Sequence, residues 1–374
     1  MGDSTTAAPT AQATTNRIHV PPPTVPHLRM PERYMHYSDR AMTSFPPAVM
    51  HTLPGTHDPA GPAEPPIHLA VHEQGDGADH PAVVLCHGFP ELAYSWRHQL
   101  PVIADAGFRA VAPDQRGFGA SSAPEEVSAY GLGQLCGDMA DLLDVLEIDR
   151  AVFVGHDWGG FVAWAMPTLH PERVAGVAGI CTPYTPFPGT DYLRSVFGDD
   201  ERMYMLWFQE PGVAESVMDQ RVRQIFEKLM VAGVDPAILT EAGLGREGGM
   251  DFNPFRNIDE LEPMGEPVAT PEELNHYVET FERTGFAGGI NWYRNIDANA
   301  RAYPDVGTRP LDLPTLMITA EWDPALPPSL ADGMGSVCSD LETHMVSHAG
   351  HWVPQERPEE VGALLADWLV RRFS

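Results

Sequence analysis

The sequence is short of positive charge. Lys228 is its one lysine, and Lys and Arg together number 23 against 52 Asp and Glu, for a formal net charge of -29. Such a surface would repel a phosphate backbone, which argues against nucleic-acid binding; anionic membrane surfaces are disfavoured for the same reason. The excess of acid reads as a well-solvated, self-repelling exterior. Cysteine is scarce as well. Cys86, Cys136, Cys181 and Cys338 show no CxxC spacing and no histidine at metal-ligand spacing, so no metal site is expected. They read as small buried apolar residues in a reducing compartment. No apolar run approaches the length of a membrane-spanning helix. A charged segment followed by an apolar one is missing near the N-terminus, so no secretory signal is expected and the cytoplasm is the expected compartment.

What is present is a chain of 374 residues, 43% of them hydrophobic, enough for a large core with an inserted second module. Residues 1–65 are rich in Pro, Thr and Ala, and Pro21-Pro22-Pro23 suits neither a helix nor a central strand. They read as a partly flexible N-terminal extension, with the segment near Tyr34 to Met50 a candidate for packing on the core. Regular patterning begins near Ile67. Buried strands are predicted at Ala82–Cys86, Arg109–Ala112, Ala151–Val154, Val174–Ile180, Thr315–Thr319 and about Glu342–Val346. Between the second and third of these, Leu132, Leu135, Met139, Leu142, Leu143 and Leu146 share one helical face. A closing helix carries Val361, Leu364, Leu365, Trp368 and Leu369 on one face.

Strands alternating with helices imply an α/β fold with a mostly parallel sheet flanked by helices. The rhythm breaks from about Pro183 to Pro310, where helical patterns with many Met and aromatic residues take over. The expected organisation is a core over 66–183 and 311–374 with a helical lid at 184–310. Such an insertion would lie over the carboxyl ends of the strands, where open α/β sheets place their sites.

Gly155-His156-Asp157-Trp158-Gly159-Gly160 is entered by a buried strand and left by a helical pattern, the context of a nucleophile elbow. The glycines allow a sharp turn and close helix-on-strand packing. In esterases the exposed residue of such a turn is Ser, which suits carbonyl carbon. Here it is Asp157, and a carboxylate suits displacement at saturated carbon, as in an epoxide or an alkyl halide. It forms an ester that water can cleave. The competing reading is that Asp157 merely caps the following helix. His87-Gly88-Phe89-Pro90-Glu91 follows the strand ending at Cys86. A tight turn there can aim the Phe89 amide into the site, with the Trp158 amide as its partner in an oxyanion hole. A base must activate water: His351, after the last strand, has the right place. Asp323, after the strand ending near Thr319, is the candidate for orienting it. Asp332 and Asp340 are weaker candidates.

On these residues the chain resembles the soluble epoxide hydrolases of the α/β-hydrolase superfamily. The resemblance runs from about Pro81 to near the C-terminus and includes Asp114-Gln115-Arg116-Gly117-Phe118-Gly119. It implies an α/β-hydrolase core with an inserted lid, the order nucleophile, acid, base, and hydrolysis of a small apolar epoxide by water without a cofactor. Haloalkane dehalogenases also place an Asp followed by Trp at this turn, so a haloalkane or haloacid dehalogenase is the alternative. A non-catalytic hydrolase-like binding protein is the alternative from another class. An epoxide oxygen leaves as a strongly basic alkoxide and needs an acid still protonated at neutral pH, which tyrosine provides. Tyr204 lies in Tyr204-Met205-Leu206-Trp207-Phe208 and Tyr293 in Asn291-Trp292-Tyr293-Arg294. Both segments are similar to lid segments that carry paired tyrosines in soluble epoxide hydrolases. Each Tyr alone would read as a core residue with a satisfied hydroxyl. Phe89 stands where dehalogenases of this type usually carry Asn, removing a donor that a halide would want. Trp158 is expected to wall the pocket, and His87, Pro90 and Trp292 to lie beside it. Glu91 resembles a family glutamate that helps place the water; its other reading is a helix-start acid. His156 could join the same water network or make a simple structural bond. Oligomeric state is open, a homodimer being one option.

Overall fold

A computed structural model of the chain describes residues 45–54, 66–77, 79–198, 201–241 and 252–374. Among them eight strands form one sheet: β1 (Val49–Leu53), β2 (Ile67–Gln74), β3 (Ala82–Cys86), β4 (Ala110–Pro113), β5 (Ala151–His156), β6 (Val174–Ile180), β7 (Thr315–Ala320) and β8 (Leu341–Val346). Their spatial order is β1-β2-β4-β3-β5-β6-β7-β8. β2 runs antiparallel to both β1 and β4, and every other pair is parallel. Every residue of β3, β4 and β5 is buried, as expected of central parallel strands covered on both faces. The chain winds from β3 to β4 on one side and then returns to β5 on the other. The carboxyl ends of β3 and β5 therefore flank a topological switch point, where such sheets bind ligands.

Each face is covered by helices. Helices α1 (Gln99–Asp105), α2 (Leu132–Val145) and α3 (Trp158–Leu169) follow β3, β4 and β5. On one face Leu135 and Met139 of α2 and Val162 and Met166 of α3 join the larger core cluster. On the other, Leu100 and Ile103 of α1 meet Leu365 and Trp368 of the closing helix.

Between β6 and β7 lies the insert. Its described helices are α4 (Thr190–Phe197), α5 (Tyr204–Trp207), α6 (Val213–Met218), α7 (Val222–Leu229), α8 (Pro236–Glu241), α9 (Pro271–Thr284), α10 (Ala287–Arg294) and α11 (Ile296–Ala302). The chain ends with α12 (Val353–Glu356) and α13 (Pro358–Phe373). Polar ties dock the insert on the core. The buried Arg97 guanidinium donates to Glu273 at 2.7 Å, the Trp292 indole to the Arg116 carbonyl at 3.1 Å, and the Leu132 amide, at the start of α2, to the Asn299 side-chain oxygen at 2.8 Å.

The sheet begins earlier than the sequence pattern suggests. β1 lies within the stretch expected as an extension, and it is an exposed edge strand whose one buried residue is Leu53. An edge strand needs no apolar alternation, so it leaves little signal. Phe45 packs on the rings of His72 and Tyr94. The rest of the expected extension, 1–44 and 55–65, lies outside the described residues. No described helix is long and apolar enough to cross a membrane.

Candidate active site

Asp157 is the residue between β5 and α3, held at φ 51° and ψ -124°. That is an unusual backbone state for a residue with a Cβ, and such strain persists only where the surroundings fix it. Here the Thr182 hydroxyl donates to the Asp157 carbonyl at 2.7 Å. A Cβ on Gly159 would lie 2.0 Å from the Cys86 carbonyl oxygen, so only glycine lets α3 start this close to β3. The Asp157 side chain does not cap the second or third amide of α3, which removes the helix-cap reading. The Phe89 amide instead donates to Oδ1 at 2.8 Å, and the Trp158 amide is also bonded to the carboxylate. The Phe89–Pro90 peptide bond in this turn is cis.

The other oxygen, Oδ2, faces His351 Nε2 at 3.7 Å. His351 Nδ1 donates to Asp323 Oδ2 at 2.9 Å. Asp323 Oδ1 in turn accepts from the Ala325 and Leu326 amides at 2.8 and 2.9 Å, which fixes the carboxylate plane. Burial works against ionising Asp323, but the His351 charge and these hydrogen bonds outweigh it and bring the carboxyl to about 2. Burial also disfavours the His351 imidazolium; the Asp323 charge and hydrogen bond, with the Asp157 and Glu91 charges, overcome it and hold the ring at about 9. Asp157 itself is shifted upward by burial, against the pull of the His351 and His156 charges and the two amides. The weaker acid candidates do not reach His351: Asp332 is exposed and Asp340 pairs with Arg372.

Tyr204 opens α5 and Tyr293 sits in α10. Their rings lie 5.6 Å apart at 75°, and the hydroxyls are hydrogen-bonded to each other. Tyr293 packs edge to face on Trp158 at 5.0 Å and on Phe89 at 5.4 Å, the two residues whose amides hold Asp157. The Trp158 side chain also hydrogen-bonds the Tyr293 hydroxyl, so the Trp158 indole N–H donates to it. Burial, joined by the nearby Asp157 charge, pushes both phenols above the ordinary tyrosine value.

Glu91 and His156 lie just beneath. Glu91 Oε2 accepts from the Gly88 amide and from His156 Nδ1, both at 2.8 Å. His156 Nε2 donates to the His351 carbonyl at 2.8 Å. Burial opposes the Glu91 charge, but the His156 charge and these bonds bring the carboxyl to about 2. Glu91 is thus no helix-start acid: it braces the turn that presents the Phe89 amide. His87 has a supporting place. Its Nδ1 donates to the Gly88 carbonyl at 2.9 Å and its Nε2 accepts from the Gln115 amide at 3.1 Å. Trp292 is tied by its indole to Arg116 and rests on Phe118 and Trp158. Pro90 is buried beside the turn.

Sequence reasoning missed three groups. Thr182 fixes the elbow, the Trp158 indole bonds Tyr293, and Cys181 packs beneath the base with its Sγ 3.6 Å from the His351 carbonyl. For Thr182 and Cys181 the one available signal is position, directly after β6 and beside the elbow. Together the groups offer a carboxylate held by two amides with its Oδ2 facing a histidine, an acid that orients that histidine, and paired phenols nearby. This set can alkylate a carboxylate at saturated carbon, protonate a leaving oxygen and cleave the ester.

Known proteins carry the same plan. The family model described as alpha/beta hydrolase fold matches residues 81–214. The chain is 43% identical to epoxide hydrolase A of Mycobacterium tuberculosis over 314 residues, 81% of this chain and 94% of that protein. It is 39% identical to bifunctional epoxide hydrolase 2 of Sus scrofa, over 82% of this chain and 54% of that longer protein. Among solved structures it is similar to epoxide hydrolase A of Mycobacterium thermoresistibile, with a TM-score of 0.75, 38% identity, and coverage of 87% of this chain and 99% of that one.

Proposed function

The chain belongs to the epoxide hydrolase family of the α/β-hydrolase fold, and on that premise we propose that it hydrolyses an epoxide to a vicinal diol through an ester on Asp157. The observation that carries the reading is the split environment of the Asp157 carboxylate. Oδ1 is taken by the Phe89 amide, whereas Oδ2 is the oxygen left for attack.

In the first step Oδ2 bonds to one epoxide carbon and the bond from that carbon to the ring oxygen breaks. Tyr204 and Tyr293 hold the oxygen, and one of them gives it a proton. An alkoxide is much more basic than a phenolate, so even a tyrosine that is hard to ionise protonates it. Esterification cancels the Asp157 charge, one of the charges that keep the proton on His351. The His351 proton then returns to the tyrosinate, leaving a neutral base.

In the second step His351, oriented by Asp323, takes a proton from water. The hydroxide adds to the ester carbonyl carbon, and the Phe89 and Trp158 amides receive the charge on the former Oδ1. Collapse expels the diol oxygen, which takes the second proton of the water. Asp157 is again ionised beside a protonated His351, so the cycle closes. Glu91 and His156 hold the turn and the His351 backbone in register.

Two observations weigh against a halide leaving group. The Trp158 indole N–H, a donor that a halide would need, is engaged by Tyr293, and position 89 offers no side-chain donor. None of the four cysteines forms a disulfide, which fits the cytoplasm as the compartment of action.

The test uses His351→Gln with an aryl or alkyl epoxide. The variant should gain the mass of one epoxide on the peptide that contains Asp157 and then stall. An unmodified peptide after prolonged exposure would contradict the two-step scheme. Wild-type protein should release diol from epoxides and no halide from matched haloalkanes.

A further inference from the structure

The loop that carries His351 is fastened to the insert as well as to the core. Glu356, in α12, points back along this loop with its side chain 3% exposed. Its Oε2 accepts from the Gly350 amide at 2.8 Å, one residue before His351. The same oxygen accepts from the Gly233 amide at 3.1 Å, in the turn after α7 of the insert. The two glycines are in backbone contact. A Cβ on Gly233 would stand 2.5 Å from Gly350 Cα, and one on Gly350 would stand 2.5 Å from Gly233 Cα. On the other side of the base, the Trp352 indole donates to the Leu229 carbonyl at the end of α7, at 2.6 Å.

We propose that Glu356 is a positioning residue that locks the seat of His351 to the docked insert, so that ester hydrolysis depends on the insert through this carboxylate. The proposal rests on the reading of His351 as the base. Its physical basis is direct. One buried oxygen satisfies two backbone N–H groups from separate parts of the fold, and removing it leaves both unpaired in a dry place. The glycine pair leaves no slack to absorb a shift, so a displaced turn after α7 moves the Gly350 backbone and with it the imidazole. Ring opening escapes this dependence, because Asp157 and its two amides belong to the loops after β5 and β3, and Tyr204 and Tyr293 to α5 and α10, whereas the Glu356 carboxylate ties Gly350 to the turn after α7. The two half-reactions therefore respond differently to the same contact.

Kinetics separates them. With binding followed by irreversible ester formation and then ester hydrolysis, kcat/KM reports binding and ester formation and contains nothing of the hydrolysis step. A slower hydrolysis step therefore lowers kcat and KM by a common factor once it limits turnover, and leaves kcat/KM in place. A purely structural loss reduces the amount of active protein, so kcat and kcat/KM fall together and KM stays put.

The experiment compares wild type, Glu356→Ala, Glu356→Gln and Gly233→Ala by steady-state kinetics and by acid quench of ester on the Asp157 peptide. Glu356→Ala should slow ester hydrolysis by roughly ten- to hundredfold, the scale of a misplaced base. Ester should accumulate and kcat/KM should hold. Glu356→Gln keeps an oxygen that can accept both N–H groups and should restore hydrolysis. Gly233→Ala pushes on Gly350 from the insert side and should reproduce the kinetic split, which keeps the proposal testable if Glu356→Ala does not fold. Wild-type kinetics in both Glu356→Ala and Gly233→Ala would overturn it. So would an equal loss of kcat and kcat/KM without accumulated ester. A wild-type enzyme and a His351→Gln variant that never form ester would instead overturn the reading of the site beneath it.

Discussion

Asp157, Phe89, Asp323 and His351 stand on loops at the carboxyl ends of core strands, whereas Tyr204 and Tyr293 stand on short helices of the insert. The first group is placed by the sheet. Strand register fixes where each loop leaves, and local bonds then aim each side chain: Thr182 onto the elbow, Glu91 onto the turn before Phe89, two amides onto Asp323. The second group is placed by packing. Tyr293 is held over the elbow by resting on Trp158 and Phe89, and Tyr204 by its bond to Tyr293. In the mechanism we propose, this difference divides the chemistry: the sheet-borne group carries the attack and the ester cleavage, and the insert-borne group carries the acid that lets the epoxide oxygen leave.

Five variants test that division. The largest effect belongs to the core. Asp157→Ala should lower turnover by at least about 10⁴-fold, the scale seen when a nucleophile is removed; measurable diol formation near the wild-type rate would refute its role. Next comes the insert. The double change Tyr204→Phe and Tyr293→Phe should slow ester formation by roughly 10²- to 10⁴-fold, the usual reach of acid catalysis. Once formed, its ester should hydrolyse at nearly the wild-type rate. Slow hydrolysis in that double variant would show that the tyrosines are not confined to ring opening.

A smaller effect is a change of titration. His351 should titrate near 9 in the wild type. Its value lies above the ordinary histidine value of about 6.5. Its pairing with Asp323 therefore stabilises the fold in full below that value and is lost as pH rises through about 9. Asp157→Asn imitates the uncharged ester and should move the His351 midpoint down. Asp323→Asn should move it further, because Asp323 is the stronger of the two charges on the ring. Proton NMR of the imidazole across pH checks both, and an unmoved midpoint in Asp157→Asn would remove the argument that esterification frees the base. The smallest effect is expected at Thr182→Val, which leaves the buried Asp157 carbonyl without its donor. It should cost about 1–3 kcal/mol in thermal or denaturant unfolding.

The same division explains what could be read from the sequence. Parallel strands buried on both faces write continuous apolar runs, so β3 and β6 are found with the bounds expected, and β4, β5, β7 and β8 within a residue or two. Asp157, His351 and Asp323 follow directly from where those runs stop. The exposed edge strand β1 writes no such run and leaves no pattern to find it by. In the insert, periodicity announces helices but not where they point. Tyr204 lies in a helix of four residues, and nothing local tells its ring to meet that of Tyr293. Only the resemblance of their segments to a family points to these two residues. The bonds of Glu356 to Gly350 and Gly233 were illegible altogether, because they join backbone groups far apart in the chain and a glutamate before a closing helix looks like a helix-start acid.

The central claim is that Asp157 lends an oxygen atom to the product and regains one from water. Single-turnover hydrolysis in ¹⁸O-enriched water, with enzyme in excess over epoxide, tests it most directly. The diol should carry no label and the Asp157 carboxylate one ¹⁸O atom, seen in the mass of its peptide. Labelled diol with an unlabelled Asp157 would mean that water attacks the epoxide itself, and the ester would have no place in the reaction.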